Sequence, residues 1–168
     1  KAGKIVGIHT GNHDDKLRKY QGTDYIQDYV CDLLNVKYLG WMAYTNLFVV
    51  DGKNRHRYVL NSNHGAFSGS RVGGNLNYLE DRLRGYDCDI MLRGHSHKSA
   101  TTKNVKYYMD ENDNVVAKKQ LLVSIGSFHH SFVKDVALYS EQKDYLPLKT
   151  GTITVKIAPK DNDLVAIE

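Results

Sequence analysis

Cysteine is scarce in this sequence, with only Cys31 and Cys88 among 168 residues. So low a number argues against a disulfide-built scaffold, and we predict two reduced thiols in the core of a cytoplasmic protein. Long apolar runs are also missing. None approaches the roughly 18 residues of a membrane span, so we predict no membrane partner. No signal peptide is visible either, but the chain starts almost directly in a strand-like run at Lys1, so this observation excludes little.

Dense clusters of basic residues are absent as well, which argues against a dedicated nucleic-acid-binding module. The net charge is nevertheless +4 and the pI is near 8.9, a balance that is compatible with a polyanionic substrate. The apolar content of 41% and the charged content of 25% are ordinary for a soluble globular protein. At this length we expect a single domain, 1–168.

Hydrophobic periodicity predicts a mixed α/β sandwich. Helical spacing of apolar residues covers 23–34 and 75–84, and 10–15 interrupts the pattern as a loop. The turn-forming residues at 51–54 predict a hairpin, because they lie between two strand-like runs. The predicted strands are 4–9, 43–50, 55–62, 87–92, 105–109, 115–117, 121–125, 152–157 and 164–167.

Three loops that carry histidine and glycine follow predicted strands. They are Gly11-Asn12-His13-Asp14, Asn63-His64-Gly65 and Gly94-His95-Ser96-His97. Strand-end loops of one sheet can meet at one edge, so we predict a single site there. An amide oxygen and neutral imidazole nitrogens suit a borderline divalent cation such as Mn²⁺, Fe²⁺ or Zn²⁺. The candidate metal ligands are therefore Asn12, His64, His95 and His97.

His13 and Asp14 suggest a different role. A carboxylate that accepts a hydrogen bond from one imidazole nitrogen orients the ring and favours its cationic form. Such a pair suits proton donation or contact with a phosphate oxygen better than it suits metal binding.

The three loops resemble the last three motifs of the calcineurin-like metallophosphoesterases, in order and in spacing, over residues 4–98. The later segments Ser127-Phe128 and 145–148 are similar to phage or DNA-repair-exonuclease-like members, though less specifically. The resemblance implies an α/β/β/α sandwich with mixed sheets. It also implies a metal-dependent phosphoester hydrolase, a phosphodiesterase or nuclease, that acts on a phosphoester substrate with nucleic acid among the candidates.

The resemblance also implies a role for each candidate residue. Asn12, His64 and His95 would bind one cation of a two-metal centre and His97 the other, with Mn²⁺ the first expectation and Fe²⁺ or Zn²⁺ the alternatives. A hydroxide between the ions would attack the phosphorus in line. His13 would contact the scissile phosphate and protonate the leaving group, with Asp14 orienting it.

Two family motifs, Asp-x-His and Gly-Asp-x-x-Asp, are missing from the sequence. They supply the remaining ligands, including the bridging aspartate, so the chain alone would be inactive if they are needed. We expect the chain to be the C-terminal portion of a longer domain; a degenerate family member is the alternative. A phosphomonoesterase acting on a nucleotide or phosphoprotein and a non-catalytic module remain alternative functions.

Other histidines have less specific settings. We interpret His9 as a core or edge residue and His56 as a solvated hairpin residue. The adjacent His129 and His130 follow a strand and could approach the site, or could serve a surface or dimer contact.

Overall fold

The computed structural model describes residues 5–66, 69, 71–142, 144–161 and 163–167. The helices are α1 (Asn12–Gln21), a π-helical segment (Ile26–Cys31), α2 (Asp32–Leu34), α3 (Val72–Leu83), α4 (Tyr139–Gln142) and a 3₁₀ turn (Pro159–Asp161). The strands are β1 (Gly7–Ile8), β2 (Lys37–Tyr38), β3 (Met42–Asp51), β4 (Asn54–Asn63), β5 (Ile90–Arg93), β6 (Ala100–Met109), β7 (Val115–Ser124), β8 (Thr154–Ala158) and β9 (Asp163–Ile167).

A five-stranded mixed sheet in the order β3-β4-β5-β7-β6 organises the chain. The central strands β4, β5 and β7 are parallel, and the outer strands β3 and β6 pair antiparallel to them. Two further pairs complete the fold, a parallel β1-β2 pair and an antiparallel β8-β9 hairpin. The architecture is therefore mixed α/β, as the periodicity predicts.

Helix α3 covers one face of this sheet because it connects two parallel strands, β4 and β5. Its buried Leu79 packs with Cys88, Met91 and Leu122, and Leu76 and Leu83 lie against this cluster. The leucine spacing that predicts the helix is thus the spacing that forms the core. The helix begins at Val72, three residues before the predicted start.

The opposite face of the sheet carries a second core cluster, formed by the alternate residues of the same strands. Ile90, Leu121 and Val123 pack there with Leu164 of β9. The β8-β9 hairpin therefore completes the core on this side. Exposed and partly buried residues alternate at the start of β8, which confirms the half-exposed strand predicted near 152–157.

The predicted hairpin is confirmed as β3 and β4, joined at Gly52 and Lys53. The predicted strands 115–117 and 121–125 are one continuous strand, β7, and the polar turn before it joins it to β6. The strand predicted at 4–9 is shorter, because β1 has two residues and Ile5 and Val6 are about half exposed.

Two predictions for the N-terminal third are wrong in part. The predicted loop 10–15 contains the start of α1 at Asn12. The predicted helix 23–34 is a π-helical segment followed by one short α-helical turn. Its apolar face is largely exposed within the described residues, with Leu33 at 86%.

Both cysteines are buried free thiols, as predicted. Burial raises the pKa of Cys88 to about 11, so this thiol stays protonated at neutral pH and acts as a packing residue. In the described part of the chain, no helix combines the length and the apolar character needed to cross a membrane.

Candidate metal centre

The carboxyl ends of β4 and β5 place two of the predicted ligands side by side. Asn63 is the register partner of Arg93, so the loops that begin with His64 and Gly94 leave the sheet at the same level. The Gly11 loop joins them because the chain around it is tied to the same region. Thr10 N donates to Gly40 O, and His64 N donates to Trp41 O.

Three predicted ligands converge at this edge. His64 Nε2 lies 3.0 Å from Asn12 Oδ1 and 3.1 Å from His95 Nδ1. An imidazole Nε2 carries either one hydrogen or one lone pair, so His64 makes one full hydrogen bond with these two neighbours and not two. Ligand atoms that bind one cation at about 2.1 Å and at right angles lie about 3 Å apart. The two distances from His64 Nε2 are therefore those expected between ligands of one cation.

The surroundings of His64 favour the neutral form of its ring. Burial and then the neighbouring His95 lower the pKa of His64 below its usual value, and Asp14 opposes this shift. A neutral ring at neutral pH offers a lone pair without first losing a proton, which favours metal binding. The Trp41 ring lies edge-on to His64 with 5.6 Å between the ring centroids.

Close backbone approach between the two loops needs glycine. Gly65 has φ +86°, and a Cβ atom there would lie 2.8 Å from Gly94 O. A Cβ atom on Gly94 would lie 3.0 Å from His64 O, so each glycine permits the approach of the other loop. Glycine is also needed at position 11, because a Cβ atom on Gly11 would lie 2.9 Å from the His64 ring. The glycines of the three motifs are thus part of the site's construction.

The Gly94-His95-Ser96-His97 loop has an unusual backbone. His95 and His97 adopt positive φ values of 69° and 59°, a conformation that costs free energy for residues with a Cβ. Ser124 at the end of β7 holds this loop: its Oγ donates to Lys98 O at 2.7 Å and lies 3.0 Å from Ser96 Oγ. Because these two histidines are alternate residues of the loop, His95 lies beside His64 and His97 lies beside His129.

His97 and His129 form a second pair, with 6.1 Å between ring centroids. Partial burial and the neighbouring His129 lower the pKa of His97. This geometry answers a question that the sequence leaves open, because it places His129 beside a motif residue. Within the described residues His97 makes a ring contact with His129, and the nearby His95 and His13 also lower its pKa.

His13 and Asp14 lie in the first turn of α1, beside these ligands. His13 is exposed, and Asp14 Oδ2 accepts a hydrogen bond from Gly11 N at 3.1 Å, which closes the helix start. The predicted orientation of His13 by Asp14 stays a prediction.

His9 behaves as the sequence suggests, as an internal residue. Its Nδ1 donates to Gly40 O at 2.9 Å, and its Nε2 accepts from Ser62 Oγ at 2.8 Å. It thereby joins the loop before β3 to β4. Neither this bridge nor the position of Trp41 is predictable from the sequence, because neither residue belongs to a recognisable motif.

Arg93 is a second residue whose setting the sequence does not reveal. It is 3% exposed; its Nη2 donates to Asn61 Oδ1 and its Nη1 to Leu92 O, at 2.6 and 2.8 Å. It joins the ends of β4 and β5 below the site, and its side chain is buried.

The three converging ligands include an amide, and the described residues contain no group of three or more His, Cys, Asp or Glu side chains placed to hold a metal ion. The chain matches no protein-family model, no curated protein and no solved structure.

Proposed function

We propose that the chain belongs to a metal-dependent phosphoester hydrolase, most simply a phosphodiesterase or nuclease with a centre of two divalent cations. One observation carries the proposal. Asn12, His64 and His95 come from three separate segments of the chain, and His64 Nε2 lies 3.0 Å from Asn12 Oδ1 and 3.1 Å from His95 Nδ1. Such convergence of lone pairs is unfavourable unless a hydrogen or a cation is shared among them.

The donor chemistry supports Mn²⁺ first, with Fe²⁺ or Zn²⁺ as alternatives, because the three atoms are one amide oxygen and two imidazole nitrogens. A second cation would use His97 together with carboxylate ligands beyond the residues gathered here. When bound, such cations acidify water and neutralise charge on phosphoryl oxygens.

The residues beside the ligands have supporting roles in the proposal. Helix α1 begins at Asn12, so its amino terminus and its partial positive charge face the same edge. His13 is exposed there and can give a proton to the leaving oxygen of a bound phosphoester. Asp14 holds the first turn, and we propose that it also orients His13.

A diester substrate, with nucleic acid among the candidates, is favoured over a monoester by the mild basicity of the chain. We place the activity in the cytoplasm, where two free thiols are expected to persist. A phosphomonoesterase is the second candidate. A non-catalytic metallophosphoesterase-like module is the third, and the missing carboxylate motifs favour it.

Hydrolysis of bis(p-nitrophenyl) phosphate and of single-stranded DNA by the full-length protein with Mn²⁺ tests the proposal. We expect His64→Ala to lower the rate at least about 100-fold, because one of three converging ligands is lost. His56→Ala, near the start of the strand that precedes His64, should retain the rate.

The alternatives predict different outcomes. A preference for p-nitrophenyl phosphate over the diester would favour the phosphomonoesterase. No hydrolysis of p-nitrophenyl phosphate or of the diester would refute the proposed activity. Equal rates for His64→Ala and His56→Ala would refute it as well.

A further inference from the structure

A cleft opens in the central sheet at the edge opposite the candidate metal centre. Strand β5 pairs with β4 and with β7 over four residues only, Ile90–Arg93. Strands β4 and β7 continue beyond it to Asn54 and Val115, and within the described residues no strand lies between these continuations. The resulting cavity has a volume of about 780 Å³.

The cleft is one strand wide. Neighbouring strands lie about 4.8 Å apart, so two strands that flank the same strand are separated by about 9.6 Å. Consecutive residues of both strands line the cavity, 55–59 on β4 and 116–119 on β7, so the lining includes residues from both faces of the sheet. The cavity therefore reaches the strand edges and does not merely lie over one face of the sheet.

The strand edges present backbone groups to the cleft. Val59 O accepts from Asp89 N, and Leu121 N donates to Asp89 O, so odd-numbered residues of both strands face the space that β5 would fill. By the alternation of strand pairing, the N–H and C=O groups of Arg57 and Lys119 point into the cleft. These groups are arranged to pair with another extended backbone.

The cleft has a floor and one closed side. Asp89, which precedes β5, forms the floor through its bonds to both strands. Leu164 of β9 lines the cavity on one face. An extended segment would therefore enter from the open end of the sheet, along the direction of β5.

Positive charge is in excess around the cleft. The lining contains five Lys and Arg side chains and two carboxylates: Arg55, Arg57, Lys106, Lys118, Lys119, Asp87 and Asp89. Lys118 Nζ lies 3.3 Å from a carboxylate oxygen of each of these two aspartates. The charge that remains is a net excess of cations that an acidic ligand would complement.

We propose that this cleft binds an extended acidic peptide segment of a partner protein, which adds as a strand between β4 and β7. The paired backbone edges favour a peptide, because a nucleic acid has no N–H and C=O ladder to match them. The excess of cations disfavours a second copy of this positively charged chain. The proposal is independent of hydrolase activity.

Amide hydrogen exchange with a defined probe tests strand addition. The probe is an acetylated and amidated peptide of alternating Glu and Val, seven residues long. We expect it to slow exchange of the Arg57 and Lys119 amides at least about tenfold, because both amides gain hydrogen bonds. A probe with N-methyl groups on alternate residues should bind at least about tenfold more weakly.

Charge reversal tests the acidic preference. Lys119→Glu, and separately Lys106→Glu, should weaken binding of the Glu-Val peptide about tenfold, whereas Lys37→Glu on β2 should leave it unchanged. Lys119→Gln gives a milder variant should charge reversal unfold the chain.

Four binding results would each overturn the proposal. They are no binding of the Glu-Val peptide, equal binding of a Lys-Val peptide, binding without slowed exchange at the two amides, and binding of a twelve-residue oligothymidylate in this cleft in place of the peptide. Dimerisation that depends on Lys119 would identify a second copy as the occupant and would overturn it as well.

Discussion

Replacing Gly65 by alanine should damage both the fold and the candidate metal centre. Its φ of +86° is a left-handed conformation that costs a residue with a Cβ about 1–2 kcal/mol. The new Cβ would also lie 2.8 Å from Gly94 O, a distance that forces the backbone of the neighbouring loop to move. We expect Gly65→Ala to lower the free energy of unfolding by about 2–4 kcal/mol in total.

The displaced loop carries His95, whose Nδ1 lies 3.1 Å from His64 Nε2. Movement of Gly94 should therefore pull one ligand away from the other two. We expect the affinity for Mn²⁺ to fall at least about tenfold, which corresponds to about 1.4 kcal/mol.

Gly52 in the β3-β4 turn provides a matched control. Its φ is +60°, and a Cβ there would have no atom within 4 Å, so Gly52→Ala keeps the backbone strain but lacks the contact. Urea unfolding should show a loss of about 1 kcal/mol for this variant, and calorimetric titration should show unchanged Mn²⁺ affinity. Equal losses of stability in the two variants, or unchanged Mn²⁺ affinity in Gly65→Ala, would refute the reasoning.

Two further predictions concern the folded chain without metal. The pKa values of His64 and His97 are lowered in the folded state. As the pH falls through about 6.5, the unfolded chain therefore binds more protons than the folded chain. The free energy of unfolding should decrease from pH 7.5 to pH 5.5 for this reason. Urea unfolding in the presence of a chelator measures this, and unchanged or greater stability at pH 5.5 would contradict it. Leu122→Ala should cost about 3–5 kcal/mol because the residue is fully buried, while Val50→Ala, at a site 68% exposed, should cost about 0.5 kcal/mol or less in thermal or urea unfolding. Similar losses for both variants would show that the core is not where the structure places it.

The central part of the fold is predictable because its sequence signals agree with one another. The Asp51-Gly52 turn between two strand-like runs specifies a hairpin without knowledge of the rest of the chain. Likewise Leu76, Leu79 and Leu83 specify a helix with one buried face, and that face meets the sheet.

The N-terminal third is less predictable because its helices bury few side chains. Helix α1 has no buried residue, so apolar periodicity gives no signal for it. Its signals are polar: Asp14 closes the first turn, and Gly22 ends the helix with φ +74°. In the segment 26–34 the periodicity is present, yet Leu33 stays exposed among the described residues. Hydrophobic periodicity identifies the apolar face of a helix, but it does not show whether another part of the protein packs against that face.

The candidate site shows the same division. Asn12, His64 and His95 could be predicted to meet, because each follows a strand and two of those strands are neighbours in a parallel sheet. The pairing of His97 with His129 could not, since it depends on the positive φ values of one loop and on a distant segment.

The central claim is that Asn12, His64 and His95 bind one cation together. Anomalous diffraction from crystals grown with Mn²⁺ tests it directly. We predict an anomalous peak about 2.2 Å from Asn12 Oδ1, His64 Nε2 and His95 Nδ1, and loss of that peak in His64→Ala crystals. No peak within reach of these three atoms at saturating Mn²⁺, or an unchanged peak in the variant, would contradict the claim.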